Sequence, residues 1–239
     1  MNQSPEVNAD NADNAVNAVN AGNGSRSQQP NGGNHHWLVE TGGLVKSFRD
    51  GVPPALDHLD TKVAGGAVTG LAGPDGAGKT TLMRLLAGLL LPSAGNIRVL
   101  GFDPVTQPEE IRARIGYMPQ RFGLYEDLNV IQNLRLYAEL RGVVGEEREA
   151  SFERLLTFTD LKRFQRRKAG ALSGGMKQKL GLACALVSKP ELLLLDEPSV
   201  GVDPISRRDL WKMVQDLIGE GIGVIWSTAY LDEVELCDA

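Results

Sequence analysis

Ala67-Val68-Thr69-Gly70-Leu71-Ala72-Gly73-Pro74-Asp75-Gly76-Ala77-Gly78-Lys79-Thr80 is the stretch that decides the fold of this 239-residue chain. Its last eight residues match G-x-x-x-x-G-K-T, a loop whose glycines let backbone N–H groups crowd around phosphate oxygens. Such a loop needs a strand before it and a helix after it. Ala67 to Leu71 reads as the strand, and Thr80 to Leu90 places Leu82, Leu85, Leu86 and Leu89 on one helical face. The helix beginning at Lys79 adds its positive dipole end. Gly73, Pro74, Asp75, Gly76, Ala77 and Gly78 are therefore expected to cradle nucleotide phosphates. Lys79 is expected to reach the β- and γ-phosphates, Thr80 to ligate Mg²⁺, and Thr81 to supply a further donor. A glycine turn before an ordinary helix is the alternative.

Outward from this unit, strands and helices alternate. Val45 to Phe48, Ile97 to Leu100, Ile115 to Met118 and Ile222 to Trp226 read as strands. Leu192 to Leu195 is apolar throughout, as a parallel strand covered on both faces should be. Helical spacing runs from Leu128 to Arg141, through Phe152, Leu155, Leu156 and Phe158, from Ser173 (a plausible N-cap) to about Val187, and from Pro204 to Ile218. The fold class is α/β, a mostly parallel sheet with helices on both sides and a helical subdomain near residues 120 to 170. Residues 1 to 36 differ in kind. Their Asn-led triplets from Asn8 to Gly22 cannot bury enough apolar area to offset ordering, so they read as a disordered tail, with His35 and His36 as tail residues.

Composition removes several function classes. A net charge of -5 argues against a nucleic-acid partner, which needs clustered cations. The basic run Lys162-Arg163 to Arg166-Arg167-Lys168 reads as a solvated face. Cys184, within Leu182 to Val187, is a small core residue in a reducing compartment rather than half of a disulfide. No apolar run approaches the roughly 20 residues that cross a bilayer.

Asp196 stands where the strand Leu192 to Leu195 reaches the ligand edge of the sheet, placed to hold Mg²⁺, with Glu197 beside it placed to polarise a water. A helix cap or a surface charge is the alternative for each. Ser173, Gly174 and Gly175 put a hydroxyl and free amides at a helix start, a second anion-binding arrangement. The order Gly73 to Thr80, Leu172-Ser173-Gly174-Gly175-Met176-Lys177-Gln178, Leu192 to Pro198 and Ser199-Val200-Gly201-Val202-Asp203 resembles the ABC ATPase family from about Trp37 onward.

That resemblance implies a P-loop, RecA-like sheet with an antiparallel N-terminal β part, and two such domains closing face to face on ATP and Mg²⁺. By the same resemblance Glu197 is catalytic, and Gln120 contacts metal and water and hinges the helical subdomain. Phe48 stacks on adenine, with a core Phe on a strand as the alternative. Ser173, Gly174 and Gly175 serve the nucleotide of the opposite domain. Phe122, Leu124 and Tyr125 form part of a groove for a helix of a membrane permease subunit, with packing into the helical subdomain as the alternative.

In its closest form, the chain resembles the N-terminal half of tandem subunits that carry two ATP-binding domains in one polypeptide and serve multidrug-type exporters. The expected partners are a second such domain, in the same polypeptide or as a homodimer, and integral permease subunits at the cytoplasmic face of the inner membrane. Against the family's pattern, Ala229 stands where a histidine is usual in Ser227-Thr228-Ala229-Tyr230, and the chain stops at Ala239 where the family continues, so a truncated product or the first piece of something longer is expected. Losing one hydrogen bond to a charged group slows hydrolysis on the order of 10- to 150-fold unless Ser227 or Thr228 compensates or Glu197 suffices. The function expected is an exporter's ATPase motor. A slow regulatory module of an asymmetric pair, or an ABC protein acting without a permease, are the alternatives.

Overall fold

The computed structural model describes residues 37–121 and 123–239, so the Asn-rich tail, His35, His36 and Phe122 lie outside the described residues. Two sheets form. The first is antiparallel, in the order β2-β1-β4, from β1 (Val39–Lys46), β2 (Leu56–Val63) and β4 (Ala94–Val99). The second is parallel, in the order β3-β7-β6-β5, from β3 (Val68–Ala72), β5 (Ile115–Met118), β6 (Leu192–Asp196) and β7 (Gly223–Thr228). The expected strand at Val45 to Phe48 is thus displaced. The real strand begins at Val39 and ends before Ser47, and Phe48 lies in the turn beyond it.

β6 carries Leu192 to Leu195 with no exposed surface because both of its faces are covered. Side chains alternate along a strand, so Leu192, Leu194 and Ile225 of β7 enter one core. There they meet Leu82, Leu85 and Leu86 of α1 (Lys79–Leu86), Ile111 of α2 (Pro108–Arg114) and the inner face of the antiparallel sheet. Leu193, Leu195, Val224 and Trp226 enter the other core. Their partners come from α3 (Val130–Leu140), α4 (Gly145–Phe158), α5 (Gly174–Ala185) and α6 (Pro204–Gly219). Each Leu buried this fully contributes roughly 1.5–3 kcal/mol.

Local chemistry sets the helix ends. Asn129 caps α3 in a reciprocal box with Gln132, Ser173 accepts from the Met176 N–H at the start of α5, and Asp203 accepts from Ile205 and Ser206 at the start of α6. In the second core Trp226 meets Trp211 edge to face, with centroids 5.2 Å apart. The Trp226 indole N–H donates to the buried Glu233 carboxylate in α7 (Leu231–Val234) at 3.0 Å. Asp238 and Ala239 run along the outer edge of β3, bonded to Val68 and Gly70.

Candidate active site

Parallel register brings the chemistry together. Ala72 pairs with Thr228, Ser227 with Asp196, and Leu195 with Met118, so four strands deliver their next residues to one edge of the sheet. This is the crevice outside the carboxyl ends of the strands where α/β sheets bind ligands. A cleft of about 250 Å³ opens there, lined by Ala55, residues Asp75 to Thr81, Gln120 and Glu197.

The loop's conformation depends on glycine at Gly78. Its φ is +92°, and a Cβ there would lie 2.3 Å from the Ala55 carbonyl oxygen. Lys79, 3% exposed, curls back over the loop; its ammonium donates to the Gly73 and Pro74 carbonyls at 2.7 and 3.0 Å and pairs with Glu197 Oε1 at 3.1 Å. Glu197 also accepts from Gln120 Nε2 on Oε2 at 2.7 Å. Three residues expected from separate motifs therefore meet at one carboxylate.

Asp196 is 1% exposed and satisfied by hydroxyls. Thr80 Oγ1 and Ser227 Oγ each donate to Oδ1 at 3.0 Å, and the Tyr117 hydroxyl donates to Oδ2 at 3.3 Å. Burial, and secondarily the Asp196 charge, push the Tyr117 hydroxyl up to about 12, so it remains a donor at neutral pH. The hydroxyl of Thr80, the carboxylate of Asp196 and the amide oxygen of Gln120 are hard oxygen donors of the type Mg²⁺ accepts.

The remaining expected residues lie elsewhere. Phe48 is 62% exposed with the Lys46 ammonium over its ring at 5.1 Å, so it is not the core strand residue that was the alternative; it does not line the cleft. Ser173 and Gly174 are exposed at the start of α5, and Gly175 is buried so closely against Ser206 of α6 that a Cβ would meet its Oγ at 2.3 Å. Leu124 packs on the helical core while Tyr125 is exposed, so that pair divides between the two readings given for it. A second cleft, of about 520 Å³, runs between α1, α2 and α3 and is lined by Leu89, Pro119, Tyr137, Leu140, Arg112 and Arg141 among others.

Nothing in the sequence marks Tyr117 or the bridging geometry of Ser227. Ser227 entered only as a stand-in for the missing histidine. Its hydroxyl is instead committed to the Asp196–Glu197 step, and Thr228 Oγ1 accepts from the Tyr230 N–H at 2.9 Å. Ala229 itself is exposed.

The ABC transporter family model matches residues 56–200. The chain is 60% identical over 200 residues to the "Probable multidrug ABC transporter ATP-binding protein YbhF" of Escherichia coli (strain K12), covering 84% of this chain and 35% of that protein. It is 43% identical to the "Daunorubicin resistance ATP-binding protein DrrA3" of Streptomyces coeruleorubidus, over 82% of this chain and 62% of that one. The chain thus spans between a third and two thirds of the length of these relatives. A solved ATP-binding subunit of an ABC transporter matches with a TM-score of 0.74 at 32% identity, covering 84% of this chain and 83% of its own.

Proposed function

Since the chain belongs to the ABC transporter family, we propose that it binds Mg·ATP in the 250 Å³ cleft and hydrolyses it as the motor of an exporter of multidrug type. The observation that carries this is the convergence of Lys79, Gln120 and Glu197 beside the Thr80–Asp196 pair. Phosphate oxygens entering the loop compete with Glu197 for the Lys79 ammonium. Lys79 then neutralises phosphate charge, and Glu197 Oε1 becomes free to accept a proton from an attacking water while Gln120 holds Oε2. Thr80, Asp196 and Gln120 would hold Mg²⁺, whose chemistry there is to neutralise charge on the β- and γ-phosphates. Phe48, exposed outside the cleft, is the residue proposed to stack on the adenine of the bound nucleotide.

Ser173 and Gly174 are exposed at the start of α5, which supports a role toward the nucleotide of a second ATP-binding domain, in the same polypeptide or as a homodimer. The second cleft, where Leu89, Pro119, Tyr137 and Leu140 lie beside Arg112 and Arg141, supports docking of a permease helix, with the chain peripheral on the cytoplasmic face of the inner membrane. No helix among the described residues is long and apolar enough to cross a membrane.

Glu197→Gln tests the reading: single-turnover hydrolysis should fall by about a hundredfold or more with nucleotide binding retained. An unchanged rate sinks the catalytic role. Ala229 favours a second reading, in which this site turns over slowly and regulates its partner. On that reading Ala229→His raises the rate by roughly tenfold or more; no increase leaves the motor reading. Failure to co-purify with membrane subunits would count against the exporter assignment.

A further inference from the structure

We propose that Ser227 is a positioning residue that sets the catalytic carboxylate, a role that rests on the reading of Glu197 given above. β6 ends at Asp196, so the Glu197 N–H has no place in the strand ladder. The Ser227 hydroxyl accepts it at 2.9 Å. Because that N–H can only donate, the single hydroxyl proton of Ser227 is left for Asp196 Oδ1 at 3.0 Å. One buried hydroxyl thus joins the metal-side carboxylate to the backbone of the next residue.

The bond matters because of the backbone it holds. Glu197 has φ +50°, in the left-handed region that a non-glycine residue seldom keeps without support. This turn sends its side chain back into the cleft toward Lys79 and Gln120. Ser227 has no exposed surface, so water cannot replace its oxygen if it is removed. The β6–β7 register, with Asp196 opposite Ser227, holds the hydroxyl at the level where the turn begins. With alanine at 227, a buried N–H would lack an acceptor and Asp196 would lose one of its hydroxyl donors. The turn would then be free to relax and the carboxylate to leave its place.

The test compares the chain with Ser227→Ala, Glu197→Gln and the double variant, measuring kcat and KM for Mg·ATP, ATP affinity in EDTA, and amide exchange without nucleotide. The expectation is a fall in kcat for Ser227→Ala of about tenfold to a hundredfold, with KM and metal-free affinity within about twofold. Added to Glu197→Gln, it should cost less than about twofold more, since both changes act through one group. Exchange at the Glu197 and Ser199 amides should quicken by about tenfold in Ser227→Ala. A kcat within about twofold of the parent, or an equal loss in both backgrounds, overturns the proposal. So does unchanged exchange. If Glu197→Gln itself leaves kcat unchanged, the catalytic reading of Glu197 is what has failed.

Discussion

Asn133 is a polar side chain sealed in an apolar subdomain, with every hydrogen-bonding atom employed. Its Oδ1 accepts from the Tyr125 N–H at 2.9 Å, and its Nδ2 faces the carbonyls of Tyr125, Leu128 and Asn129. One amide thus substitutes for a strand partner along an irregular loop. Asn133→Leu, close in volume, should cost about 2–3 kcal/mol in urea denaturation, because the loop's own groups are left unpaired. Lys79, Thr80, Asp196 and Glu197 were legible in the sequence because each sits inside a contiguous motif. Asn133 and Ser227 were not, since a lone Asn or Ser carries no signal until folding brings its partner into reach.

Among the elements, those with clean periodicity were the readable ones. β6 and α6 agree with their patterns to within a residue or so, and the helices from Ser173 and Leu128 shorten only at their ends. β2 was missed because His58, at φ +48°, breaks its alternation, and α2 because Ile111 is its one buried residue. Gly42 and Gly43 interrupt β1, where the pairing shifts register, and drew the expected strand toward Phe48. Contact between elements also depends on a residue that periodicity ignores. Gly116 of β5 lies so close to α5 that a Cβ would meet the Ala185 carbonyl oxygen at 2.5 Å and Leu193 Cδ1 at 2.8 Å. Gly116→Ala should destabilise by about 1–3 kcal/mol in guanidinium unfolding as β5 is forced from α5.

For the whole molecule, the strand order β3-β7-β6-β5 could not be read from the chain, because crossover connections leave no local trace. The layered cores have consequences that bulk measurements can check. Tyr117 and Tyr137 are both raised from 10.0 to about 12, mainly by burial. Their folded values exceed the unfolded ones, so the stability tied to their neutral forms is complete below pH 10 and lost as pH rises through 12. Alkaline unfolding followed by circular dichroism should fall in that window, together with delayed tyrosinate absorbance. Burial also raises the Cys184 thiol strongly and, with help from Asp238 and Glu233, pushes Cys237 up to about 11. Neither thiol should react quickly with Ellman's reagent in the native chain at mildly alkaline pH, and both should react once it is denatured.

The Trp211–Trp226 contact gives the molecule an optical reporter of its own. Trp226 is the residue immediately before Ser227, and its indole is tied to Glu233 just beyond Ala229 and Tyr230. Any tilt of that segment as nucleotide arrives changes the ring geometry or the indole hydrogen bond, and with it the emission. Trp37 lies against Lys62 at the other sheet and supplies a steady background. Fluorescence of the unlabelled chain should therefore follow nucleotide titration, and Trp226→Phe, which removes both the ring pair and the indole hydrogen bond, should remove most of the change.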